Sequence, residues 1–174
     1  MLSGVKRGVG RGLEGGVIFL MAALAIVVLL GITFRALGSA LSWYDETASI
    51  LLAWLTYFGS ALAALRRAHI GVPNVIAALP REWRIAAFVL AEAMVFAFFA
   101  LAGWTGWVVI DVMRGSYLAS LPSVSVSLVQ SIIPLGAALF ILAEALSLPD
   151  AWRATVGRGR AATAHGAAAD AATE

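Results

Sequence analysis

The chain has 174 residues, 61% of them hydrophobic and only 13% charged, whereas an ordinary soluble domain carries about 25% charged residues. A mean hydropathy of +0.92 excludes a disordered protein and exceeds what a water-soluble core of this length could hide, so lipid must solvate much of the surface. The absence of Cys removes disulfides, thiolate metal sites and thiol nucleophiles, and a net charge of +2 gives nucleic acid no electrostatic footprint.

A basic segment at 1–14, with Lys6, Arg7 and Arg11, precedes an uncharged run of 20 residues from Gly15 to Phe34. At about 1.5 Å per residue that run crosses a hydrocarbon core of about 30 Å, and it predicts span one at 15–35. A signal peptide is the alternative reading, with small residues at Ala36 to Ala40. The run exceeds a usual h-region of about 7 to 15 residues, and Arg35 would stand just before the cleavage zone. Thr47 to Leu65 is uncharged between Glu46 and Arg66 and predicts span two at 45–65. Ile85 to Ile110, interrupted only by Glu92, predicts span three at 85–110; span four falls at 124–148, with Pro134 inside and Glu144 near its end. The expected fold is an all-α integral membrane domain of four transmembrane helices over 15–150. The remaining 151–174, rich in Ala, Gly and Thr, cannot bury enough to pack and reads as a flexible tail.

Between spans two and three, Val72, Val75, Ile76 and Leu79 recur at helical spacing, bounded by Pro73 and Pro80. They predict a short amphipathic helix in the membrane interface, with an irregular loop of chance periodicity as the alternative. Ten of the twelve basic residues precede span one, lie between spans two and three, or follow span four. Lys and Arg near span ends are retained on the cytoplasmic side, so both termini are expected to be cytoplasmic.

Asp45 and Glu46 stand where span two begins, beside Trp43 and Tyr44. Their structural reading is local: Ser42 with Asp45 has capping-box spacing, acids favour a helix N-terminus, and the aromatics suit an interfacial belt. Their functional reading is contact with a partner or an ion. Glu92 is sharper, because a carboxylate facing lipid at the bilayer centre costs about 2.5 to 3.5 kcal/mol. It needs a protein neighbour or a proton, and Glu144, Arg66 and Arg67 approach the same level, so an internal Glu and Arg network or a contact with another subunit are both open. Trp83, Arg81 and Arg84 read as interfacial anchors, and Trp104, Trp107 and Trp54 as residues packed against lipid or a neighbouring helix. His69 and His165 are the only histidines and cannot pair as haem ligands inside a membrane. No nucleotide, hydrolase or zinc motif occurs, so no catalytic, cofactor or metal residues are assigned and the chain is not expected to be an enzyme.

Over about residues 15–150 these features together resemble the small permease subunit of tripartite ATP-independent periplasmic (TRAP) transporters. The likeness rests on four spans with both ends inside, Trp43-Tyr44-Asp45-Glu46 opening span two, and Trp54 followed by Gly59. It continues through Arg66, His69-Ile70-Gly71-Val72 and Leu79-Pro80 to Leu121-Pro122 and Ile133-Pro134-Leu135-Gly136. Two departures stand out: Asp45 where the pair is commonly Glu-Glu, and Pro73 where the family usually has Asp. The resemblance implies a large elevator-type membrane subunit carrying the substrate and sodium sites, and a periplasmic binding protein delivering an organic acid. It also makes Trp43, Asp45, Glu46, Arg66, Arg67, His69, Glu92, Pro134 and Glu144 the candidate partner-contact residues. The rivals are the small subunit of a tricarboxylate transporter, a membrane anchor of a redox enzyme, and a small homo-oligomeric channel, for which only Ser123, Ser125, Ser127, Gln130 and Ser131 suggest a polar stripe.

Overall fold

The computed structural model describes residues 2–66 and 80–170, and they form a helical protein. Helix α1 runs Leu2–Ala36, α2 Tyr44–Leu65, α3 Arg81–Val112, α4 Val126–Gln130 and α5 Ile132–Asp170. Four stretches of these helices are long and apolar enough to cross a membrane. The interfacial helix expected at 71–80 lies, apart from Pro80, outside the described residues, as do Arg67 and His69.

The helices extend beyond the predicted spans because charge limits where lipid can solvate a helix, and not where a helix can form. With 35 residues, α1 is about 52 Å long at 1.5 Å per residue, so its basic first turns project past a core of about 30 Å. Its far end is a Schellman cap: Gly38, at φ +79°, donates to Arg35 O, and Ser39 donates to Phe34 O at 3.0 Å. The capping box expected at Ser42 is not formed. Trp43 is the N-cap of α2 and no side chain caps it, so the acids there are left for other contacts.

Span four differs most from its sequence reading. The segment over 124–131 is a short helix, α4, capped by Ser125, whose Oγ accepts from Ser127 N at 3.3 Å; α5 then starts afresh at Ile132. Pro134 therefore sits in the first turn of α5, where no helical N–H is missed, and puts no kink in the middle of the span. Pro149 is the proline within the helix. The backbone continues helical through it to Asp170, across residues read as a flexible tail; its Ala content favours helix.

The spatial order is not the chain order. α1 packs along α2, α2 along α5, and α5 along α3, so the last span inserts between the second and third, and α1 and α3 become the two edges of a row. Leu13 of α1, Ala61, Ala64 and Leu65 of α2, and Phe140 and Ala143 of α5 form the buried centre, against which Val95 and Phe99 of α3 pack. Phe99 stacks on Phe140 with ring centroids 3.7 Å apart.

Each helix contact is set by a glycine receiving a large side chain. A Cβ on Gly16 would come within 2.9 Å of Phe58, and one on Gly31 would intrude into the Tyr44 ring, so both seat α2 on α1. Gly136 receives Tyr57 where α2 meets α5, and a Cβ on Gly106 would lie 2.7 Å from Ile133 and 2.9 Å from Pro134 where α3 meets α5. Lipid is as apolar as these side chains, so close van der Waals fit must hold the helices together.

Ala in a helix interior is normally favoured over Gly by about 1 kcal/mol. Gly59→Ala, which meets open space, is expected to leave stability in detergent unchanged or raised. Gly136→Ala is expected to lower it by about 1–3 kcal/mol through overpacking, and the loss should shrink when Tyr57→Ala is added. Additive losses in the double variant would contradict the seat.

Candidate functional site

The end of the molecule where α1 finishes and α2 begins gathers the first group of candidates. The Tyr44 ring fills the Gly31 seat and its hydroxyl accepts from Arg35 at 3.4 Å. One helical position on from Asp45, Glu46 turns inward. It accepts from the backbone N–H of Ser120 at 3.0 Å and from the Ser120 hydroxyl, in the connection between α3 and α4. That connection is itself folded back: Gly115 takes φ +85°, Leu118 N donates to Val124 O, and Val126 N donates to Ser116 O, while Ser127 Oγ donates to Ile110 O at 3.2 Å. Glu46 thus ties the start of α2 to the return loop between α3 and α4. Of the expected acidic patch, Asp45 is exposed, and Trp43 and Glu46 are half-buried, the Glu46 carboxylate being held by Ser120.

The opposite end holds the second group. Arg66 pairs with Glu14 of α1. Nothing in a sequence reading marks Glu14 beyond its place as the charge that bounds span one. Lys6 reaches Asp150 of α5 at 2.6 Å; this pair and Arg66–Glu14 are partly exposed, and such pairs contribute about 0–1 kcal/mol each. Arg84, expected as an interfacial anchor, is 5% exposed and lies inside the protein, its Nε and Nη2 without a partner among the described residues. Trp83, Trp104 and Trp107 are 68%, 71% and 64% exposed, and Arg81 is exposed too.

Within the membrane-crossing part, Glu144 is buried on α5. Glu92 lines a groove of about 480 Å³ between α3 and α5, walled by Phe88, Phe96, Pro149 and Trp152, with Phe88 and Trp152 in tilted ring contact at 5.9 Å. Glu92 therefore borders an apolar groove between two helices of the chain. Pro134 packs on Gly106 and also borders a second groove, of about 460 Å³, between Trp104, Trp107 and Ala137. Trp54 is half-buried with its indole N–H enclosed. Among the described residues no group of His, Asp and Glu is arranged to hold a metal ion.

Residues 24–154 match the DctQ component of tripartite ATP-independent periplasmic transporters. The chain belongs to that family. No curated protein matches it. The match takes in the Glu46 tie, Glu92, Pro134 and Glu144, so a DctQ-type small permease component is what these elements build, and it separates the chain from the tricarboxylate-transporter and redox-anchor alternatives. The basic first turns of α1 lie outside the match.

If the Glu46 tie is structural, Ser120→Ala and Glu46→Gln should each lower the melting temperature of the DctQ chain, and the double variant by little more than either. Thermal unfolding in detergent measures this; independent effects would place Glu46 elsewhere.

Proposed function

We propose that this DctQ component is the fixed scaffold of its transporter: it anchors a larger elevator-type membrane subunit during sodium-coupled uptake of organic acids delivered by a periplasmic binding protein. In this reading both termini are cytoplasmic and the membrane is the bacterial inner membrane. The observation that carries it is the exposed apolar surface at the edges of the row. In the most apolar 18 residues of α3 none is buried within the chain, and on α1 Ile18, Phe19, Ile26, Leu29 and Ile32 are all more than half exposed. The buried hydrophobic centre between the helices is Leu, Ala and Phe, and the buried polar residues Arg84, Glu144 and Ser147 lie on α3 and α5. Substrate selection belongs on the partner chains, and the task left to this one is to widen and hold the part that stays still.

Support for the partner contacts comes from position. Asp45 is exposed beside Trp43 at the end opposite the basic cluster, the end that meets a binding protein if the positive residues stay inside. Glu92, in its groove between two helices, suits a contact at or near the large subunit.

Charge reversal by Asp45→Lys is expected to reduce uptake several-fold while the two membrane subunits still co-purify, and unchanged uptake would remove Asp45 from the docking surface. Glu92→Gln is expected to keep the fold and weaken assembly or uptake only in part. Normal assembly with complete loss of sodium-coupled uptake would instead make Glu92 an ion site.

A further inference from the structure

We propose that the basic cavity at the start of α1 is a binding site for the headgroup of an anionic phospholipid, a role that does not depend on the transporter reading. Its volume is about 720 Å³, within the range of ligand sites, and it lies where α1, the end of α2 and α5 converge. Lys6, Arg7, Arg11 and Arg66 supply four cations to its wall, against two carboxylates, Glu14 and Asp150. The carboxylates are already committed, Asp150 to Lys6 and Glu14 to Arg66. Arg7 and Arg11 remain, exposed and without an ion pair among the described residues. They stand four residues apart on α1, where like charges repel and a shared anion between them removes the repulsion.

Depth identifies the anion. The floor is Gly10 against Leu65, in contact at 3.4 Å. Leu65 is the last residue of α2, and the uncharged run of α1 begins at Gly15, about one turn further along. The cavity therefore opens at the boundary between apolar and polar layers, where phosphodiesters are concentrated and basic pockets between transmembrane helices take lipid headgroups. Guanidinium groups bind phosphate oxygens in pairs, and the ion pairs on either side hold the three helices around the space.

The test compares the full chain in nanodiscs of phosphatidylcholine alone and of phosphatidylcholine with phosphatidylglycerol, reading the melting temperature and, by native mass spectrometry, the lipid retained. Phosphatidylglycerol should raise the melting temperature and be retained preferentially. Arg7→Gln with Arg11→Gln should weaken its retention about thirtyfold, roughly fivefold for each arginine near an anionic surface, while Arg114→Gln at the other end should change nothing. The Arg7→Lys, Arg11→Lys pair keeps the charge and should retain most of the binding, which separates a lost site from a lost fold. Equal retention by the wild type and the glutamine variant would overturn the site. An equal stabilisation by inorganic phosphate added to phosphatidylcholine nanodiscs would overturn the assignment to a lipid, and loss of retention only when a partner subunit is present would assign the arginines to protein contact instead.

Discussion

Close approach at glycine is the constraint on which the rest of this structure depends. A membrane protein gains little by hiding leucine from lipid, so its helices associate where backbones can come near enough for side chains to fit. Here the fit is one-sided at each contact: Tyr44 into Gly31, Tyr57 into Gly136, Ile133 and Pro134 against Gly106. Because every seat takes a bulky partner from a different helix, each contact accepts only one neighbour. The seats thereby set the order α1, α2, α5, α3, with the last span in the interior of the row.

That order has a functional consequence. A row has two edges and two broad faces, while a closed bundle has an inside. The apolar content that a bundle would spend on itself is left on α1 and α3, and lipid or another membrane protein must cover it. Membership of the DctQ family fits a chain whose work is contact. The polar ties, Glu46 to Ser120 at one end and the Lys6–Asp150 and Arg66–Glu14 pairs at the other, fasten the ends of the row, where water or headgroups lower the cost of charge.

The spans were legible because charges bracket them: Glu14 and Arg35, Glu46 and Arg66 mark where lipid must stop. The order of the helices in space was not, since the seats join residues far apart in the chain and a Gly alone does not say which side chain it receives. Gly59 shows the limit, being as conspicuous in the sequence as Gly136 yet facing open space. Local signals also misled where two uses competed. Ser42 and Asp45 have capping-box spacing, but Trp43 ends as the N-cap and the neighbouring Glu46 is drawn to Ser120. Arg84 looked like its neighbours Arg81 and Trp83, and helical phase alone turned it inward. Of the candidate contact residues, the exposure of Asp45 could be anticipated, whereas Glu46 and Arg66 proved to have partners within the chain that no short motif announces.

The chain contains no Cys, so paired cysteines can report helix neighbours directly in native membranes. Cysteines at Gly103 and Ala137, whose Cβ positions would stand 3.4 Å apart, near the spacing of about 3.5–4.5 Å a disulfide requires, should cross-link readily. A pair at Val17 on α1 and Ala102 on α3, brought to one depth by the Gly16–Phe58, Gly136–Tyr57 and Gly103–Ala137 contacts, should not, since those helices are the opposite edges of the row. Efficient cross-linking of the second pair within one chain would show a closed bundle and contradict the account.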